Sequence, residues 1–75
     1  MKIFDAGQLR IARRSAGLTL RKAAKALNLS TSCLADKENG FVRVFADELP
    51  DISRLFNVSI ESFFVEKINQ EEAVH

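Results

Sequence analysis

The residues of this 75-residue chain whose types and spacing suit chemistry are hydroxyls and cations, and the chemistry they suit is binding. Ser30, Thr31 and Ser32 stand in a row between two stretches of periodic apolar residues, and Arg13, Arg14, Arg21, Lys22 and Lys25 precede them. Hydroxyls donate and accept hydrogen bonds alike, and guanidinium and ammonium groups meet anionic oxygens. Catalytic equipment is poor by contrast. The only His is His75, the only Cys, Cys33, falls mid-helix with no base placed beside it, and no Gly-rich phosphate loop is present. Cys33 therefore reads as a small packing residue. No enzyme activity, no metal site of the usual ligand count and no cofactor is expected.

The formal net charge of +1 hides an asymmetry. Residues 1–40 carry eight Lys/Arg against three acids, while residues 41–75 carry three against seven. One half is thus +5 and the other −4. A basic half on a nearly neutral chain points to an anionic partner, for which a phosphate backbone is the leading candidate, against the alternative of a dipolar surface with no partner.

These side chains must be carried by short helices. The length supports one small domain, and 47% apolar residues with three Gly and one Pro fit a helical protein. Leu9, Ala12, Arg13 and Ala16 recur at helical spacing, giving a first helix over residues 6–16 with Asp5 as cap, ended by Gly17. Thr19 caps a second over residues 20–27 with Ala23, Ala24 and Leu27 inward, and Asn28 suits the left-handed turn that stops it. Ser30 caps a third running to about Asn39 before Gly40. A gap of about three residues between the second and third helices favours a steep crossing over an antiparallel pair. FVRVF, residues 41–45, alternates like a strand but lacks a second strand, so a loop is expected there. A fourth helix begins near Asp47, tolerates Pro50 in its first turn, faces Leu49, Ile52, Leu55 and Phe56 inward, and closes at Asn57. Ser59 caps a fifth through Phe63 and Phe64 to about Ile68. The domain is placed at residues 1–68, with residues 69–75 an acidic, disordered tail.

The segment GLTLRKAAKALNLSTSCLADKENG resembles the helix-turn-helix of the Cro/C1-type (XRE-like) regulators. The resemblance rests on Arg13 four residues before Gly17, the GLT opening, Ala24 at the helix crossing, the Leu29-Ser30 turn, inward Leu34, and Glu38-Asn39-Gly40. With Leu55, Val58-Ser59 and Phe63-Phe64 it covers about residues 9–64. It implies an all-α, compact five-helix domain of the lambda-repressor-like type and a sequence-specific DNA-binding transcriptional regulator, a phage-type or bacterial repressor acting as a dimer. It also implies that Arg13 and Glu38 form a structural ion pair, outside the DNA contacts.

With the third helix in a major groove, its outward positions Ser30, Thr31, Ser32, Ala35, Asp36 and Asn39 become the candidates for base readout. None is Arg, the strong bidentate reader of guanine, and Asp36 either accepts from a cytosine amino group or pairs with a cation such as Lys37 or Lys25, the pairing being the expectation. Phosphate contacts are assigned to Arg14, Thr19, Arg21, Lys22 and Arg43, together with free N–H groups opening the second helix. The chain departs from the family where Leu20 replaces a common Gln, Lys37 replaces an apolar residue or Trp, and FVRVF replaces basic residues. Phe41, Val42, Val44 and Phe45 then serve as core, as a homodimer interface or as a site for another protein, and the C-terminal helix with Phe63, Phe64 and Ile68 is the alternative interface. The alternative reading is an interaction module, an antitoxin or antirepressor subunit with weakened DNA binding. A lone cysteine and the lack of a signal peptide or membrane span give a cytoplasmic expectation.

Overall fold

Helix α1 (Gly7–Ser15) buries Leu9, Ala12 and Arg13 along one stripe. In this computed structural model, which describes residues 1–66, three of the four residues of the periodicity read from the sequence are buried, and the fourth, Ala16, follows the helix as its exposed C-cap. Asp5 Oδ1 accepts from the Gly7 N–H at 3.0 Å, so the carboxylate ties down the start of the helix. Gly17 leaves α1 at φ +75°, a left-handed conformation that a side chain would strain. Helix α2 (Leu20–Ala26) is capped by Thr19, whose hydroxyl accepts from the Lys22 N–H at 3.1 Å. Asn28 takes φ +59° beyond its end, and the Leu29 N–H returns to the Ala24 carbonyl at 2.8 Å. Ser30 then caps α3 (Thr31–Glu38) by accepting from the Cys33 N–H at 3.1 Å.

Residues 41–45 form a loop, as expected, and lead through a 3₁₀ turn (Ala46–Glu48) into α4 (Leu49–Phe56), with Pro50 in its first turn and Asn57 left-handed at its end. The core gathers Leu9, Ala12, Ala23, Ala24, Leu34, Leu49, Ile52, Phe56 and Phe63. Ala23 and Ala24 are almost fully buried, which lets α2 and α3 approach closely.

The all-α class holds, but the helix count of five does not. In place of a fifth helix from Ser59, Ile60–Phe63 make one 3₁₀ turn and Phe64–Glu66 form a strand, β2. Its partner is β1 (Lys2–Phe4), paired antiparallel with Lys2 opposite Glu66, Ile3 opposite Val65 and Phe4 opposite Phe64. Aromatic and β-branched residues at 63–65 favour a pleated surface once a partner strand is in reach. Phe4 packs edge-on to Phe64 at 5.7 Å and beside Phe63 at 6.4 Å, joining the two-stranded sheet to the helical core. Ile68 and the tail expected at 69–75 lie outside the described residues.

Candidate nucleic-acid interface

The site is built on the α2–α3 pair, and its rigidity comes from Arg13. This side chain is buried, yet each of its three nitrogens donates a hydrogen bond. Its Nε donates to Glu38 Oε2 at 2.8 Å, its Nη2 to Glu38 Oε1 at 3.2 Å, and its Nη1 to the Leu18 carbonyl at 2.9 Å. One guanidinium thus ties α1 to the last turn of α3 and to the residue before the α2 cap. A planar guanidinium offers a carboxylate this forked geometry, which a Lys ammonium does not. Arg10 adds a second cation, its Nε 3.5 Å from Glu38 Oε1, and its Nη2 donates to Asn39 Oδ1. Among the described residues no buried side-chain polar atom lacks a partner.

On this frame α3 presents its first turn to solvent. Ser30, Thr31 and Ser32 are exposed, while Ala35 and Asp36 are half-buried and Asn39 is exposed one turn further on. The six candidate readers are therefore unequal. Ser30 spends its acceptor on the Cys33 N–H and lies 3.4 Å from Ser32 Oγ. Asn39, which is exposed, has its carbonyl oxygen engaged by Arg10, and its amide N–H groups make no hydrogen bond among the described residues. Thr31 is exposed and makes no side-chain hydrogen bond among the described residues.

Asp36 does not have the cation expected for it. Lys37 turns away from it into the protein, and among the described residues Asp36 has no ion pair with Lys37 or Lys25. The reason is helical geometry. Leu34, Lys37 and Glu38 share the buried stripe of α3, and Asp36 lies off it. Lys37 donates from Nζ to Glu48 Oε1 at 3.1 Å and to the Arg43 carbonyl at 3.0 Å, with the Phe45 ring centroid at 5.6 Å. This network and the Arg10–Asn39 contact were not singled out in the sequence. The available signal was a Lys at a core-facing position with a carboxylate a loop away.

Arg14, Arg21, Lys22 and Arg43 are exposed and carry no ion pair among the described residues, so their charge is available to an anion. Thr19 is exposed as well, but its hydroxyl oxygen is the α2 cap and consumes the Lys22 N–H, one of the backbone donors assigned to phosphate. The apolar loop divides: Val44 packs against the core, whereas Phe41 (79% exposed), Phe45 (56%) and Val42 (40%) face outward. None of the helices in the described residues is long and apolar enough to cross a membrane.

A sequence model of the family described as "Helix-turn-helix domain" matches residues 6–62. Among solved structures, the chain is similar to the clp gene regulator ClgR from Corynebacterium glutamicum, at 28% identity and a TM-score of 0.71, over 77% of this chain and 75% of that one. A second structure of that regulator gives a TM-score of 0.72 at 28% identity, over 77% of this chain and 62% of that one. An HTH_3 family transcriptional regulator from Vibrio cholerae gives 0.68 at 29% identity, over 79% of this chain, which spans 33% of that protein. No curated protein matches by sequence.

Proposed function

The chain belongs to the helix-turn-helix domain family and is an XRE-like DNA-binding regulator, and from this premise we propose that it is a repressor that binds operator DNA as a homodimer. The observation that carries the proposal is the exposed hydroxyl row at the start of α3, Ser30, Thr31 and Ser32, on a helix whose far end is locked by Arg13 and Glu38. A helix of this size fits the major groove, and its N-terminal side chains are the ones that meet base edges. In this reading Thr31 and Ser32 read bases directly, with Ser30, Ala35, Asp36 and the Asn39 amide at the margins. Arg14, Thr19, Arg21, Lys22 and Arg43 hold the backbone. The chemistry is binding and not catalysis, and the place of action is wherever the DNA is, the cytoplasm for a bacterial regulator.

Hydroxyl readers discriminate modestly and no Arg stands among them, so paired half-sites and DNA shape supply the remaining specificity. The test is a titration of a duplex carrying the protein's own upstream region against a scrambled duplex, at several salt concentrations. A steep salt dependence with tighter binding to the upstream duplex is expected. Equal, weak binding to both contradicts operator recognition.

Phe41 and Phe45 support a second reading. Two exposed phenylalanines beside the recognition helix form a contact surface for a second copy or for another protein, as in an antitoxin or antirepressor subunit. Capture of a protein partner together with no DNA binding near 50 mM salt favours that alternative.

A further inference from the structure

We propose that Lys37 is a positioning residue for DNA binding, holding the backbone of Arg43 so that this guanidinium meets a phosphate. The inference rests on the reading of the chain as a DNA-binding protein with Arg43 on the backbone. Lys37 lies on the buried stripe of α3 with its side chain 5% exposed. An ammonium there requires partners, since burying an unpaired charge is costly. Its partners are specific: the carbonyl of Arg43 at 3.0 Å, Glu48 Oε1 at 3.1 Å and the Phe45 ring. Glu48 Oε1 accepts in turn from the Phe45 N–H at 2.8 Å.

The consequence is a loop held at both ends. The Phe41 and Val42 N–H groups bond the Asp36 carbonyl, at 2.9 and 3.3 Å, and anchor its start. From there to the 3₁₀ turn, Lys37 and Glu48 fix the backbone to α3 and to the start of α4. Arg43 is the only Lys or Arg in the segment 38–53, and its carbonyl is the one Lys37 grips. The bond sets the peptide plane that follows Arg43 and hence the direction in which its exposed side chain leaves the loop. Ordering this loop during folding spares that cost on binding. Packing alone would call for an apolar residue at position 37, and an ammonium directed at this carbonyl has a use that packing does not supply.

The test compares the full chain with Lys37→Met, Arg43→Ala and the double variant. Fluorescence anisotropy is read on a labelled mixed-sequence duplex of about three DNA turns, between about 50 and 200 mM salt. Arg43→Ala is expected to make the log K against log salt slope shallower by about 1 and to lower affinity at the low-salt end roughly tenfold. Lys37→Met reproduces at least half of that slope change, and the double variant goes no further than Arg43→Ala alone. A melting temperature changed by Lys37→Met with the slope unchanged overturns the proposal, leaving Lys37 purely structural. So does a double variant whose slope falls by about 2, the sum of two independent phosphate contacts. An unchanged slope in Arg43→Ala, with the wild type still bound, removes the Arg43 contact and the inference with it. No wild-type binding at low salt removes the functional reading itself, and the inference falls with that premise. If Lys37→Met does not melt cooperatively, Lys37→Leu takes its place, with the same expected slope and the same overturning results.

Discussion

Arg13 and Glu38, 25 residues apart in sequence, meet as a two-bond fork at 2.8 and 3.2 Å, with Glu38 almost completely buried. The pair fixes where α3 stands relative to α1. Removing one partner strands the other. Glu38→Ala is expected to destabilise the fold by about 3–5 kcal/mol, the usual cost of leaving a buried charge uncompensated. For a domain of this size that is a fall in melting temperature of well over ten degrees, at roughly 4–8 °C per kcal/mol. Thermal denaturation followed by circular dichroism checks it, and an unchanged melting temperature contradicts the scaffold role.

Ala24 is 1% exposed on α2, the helix packed against α3. Ala24→Leu is expected to cost about 1–3 kcal/mol by overpacking. It should also displace α3, so that DNA affinity measured well below the melting transition falls further than the unfolded fraction accounts for. Denaturation and anisotropy on the same variant separate the two effects. Affinity loss equal to the unfolded fraction would show that the crossing serves stability alone.

Thr31 and Arg43 are expected to fail differently. Thr31→Ala alters preference among duplex sequences more than overall affinity, because a hydroxyl at a base edge carries sequence information. Arg43→Ala weakens binding to every sequence alike. Competition titrations over duplexes varied one base pair at a time make the comparison, and a uniform effect of Thr31→Ala removes it from the readers.

Phe41 is 79% exposed just beyond α3. If the loop forms the homodimer contact, Phe41→Ser shifts sedimentation equilibrium towards monomer and weakens binding to a two-half-site duplex far more than to a single half-site. A dimer constant unchanged by the substitution directs attention to β1, β2 or the chain beyond them.

Much of the helical frame was legible in the sequence because its punctuation is local. Thr19 and Ser30 cap the second and third helices, Gly17, Asn28, Gly40 and Asn57 take left-handed conformations, and Ala24 is buried. What escaped was long-range. Lys2–Phe4 becomes a strand only because Phe64–Glu66 comes alongside it from the other end of the described chain, and no local period announces such a pairing. Lys37 reads from the sequence as a cation for Asp36, because its true partners, Glu48 and the Arg43 carbonyl, become neighbours only after the loop has folded back. The same folding splits FVRVF, sending Val44 inward and leaving both phenylalanines outside. The candidate site was legible as a set of positions on α3. Its ranking, with Thr31 unengaged among the described residues and Ser30 and Asn39 partly engaged, required the hydrogen bonds.

The central claim, that α3 meets DNA with its first turn, is tested most directly by amide chemical shifts of the isotope-labelled protein titrated with its upstream duplex. The largest changes are expected at Ser30, Thr31, Ser32 and Asn39, with Arg21, Lys22 and Arg43 at the flanks and little change at Phe64 or Val65. Shifts confined to Phe41, Phe45 and the β1–β2 sheet, with the first turn of α3 unmoved, would contradict it.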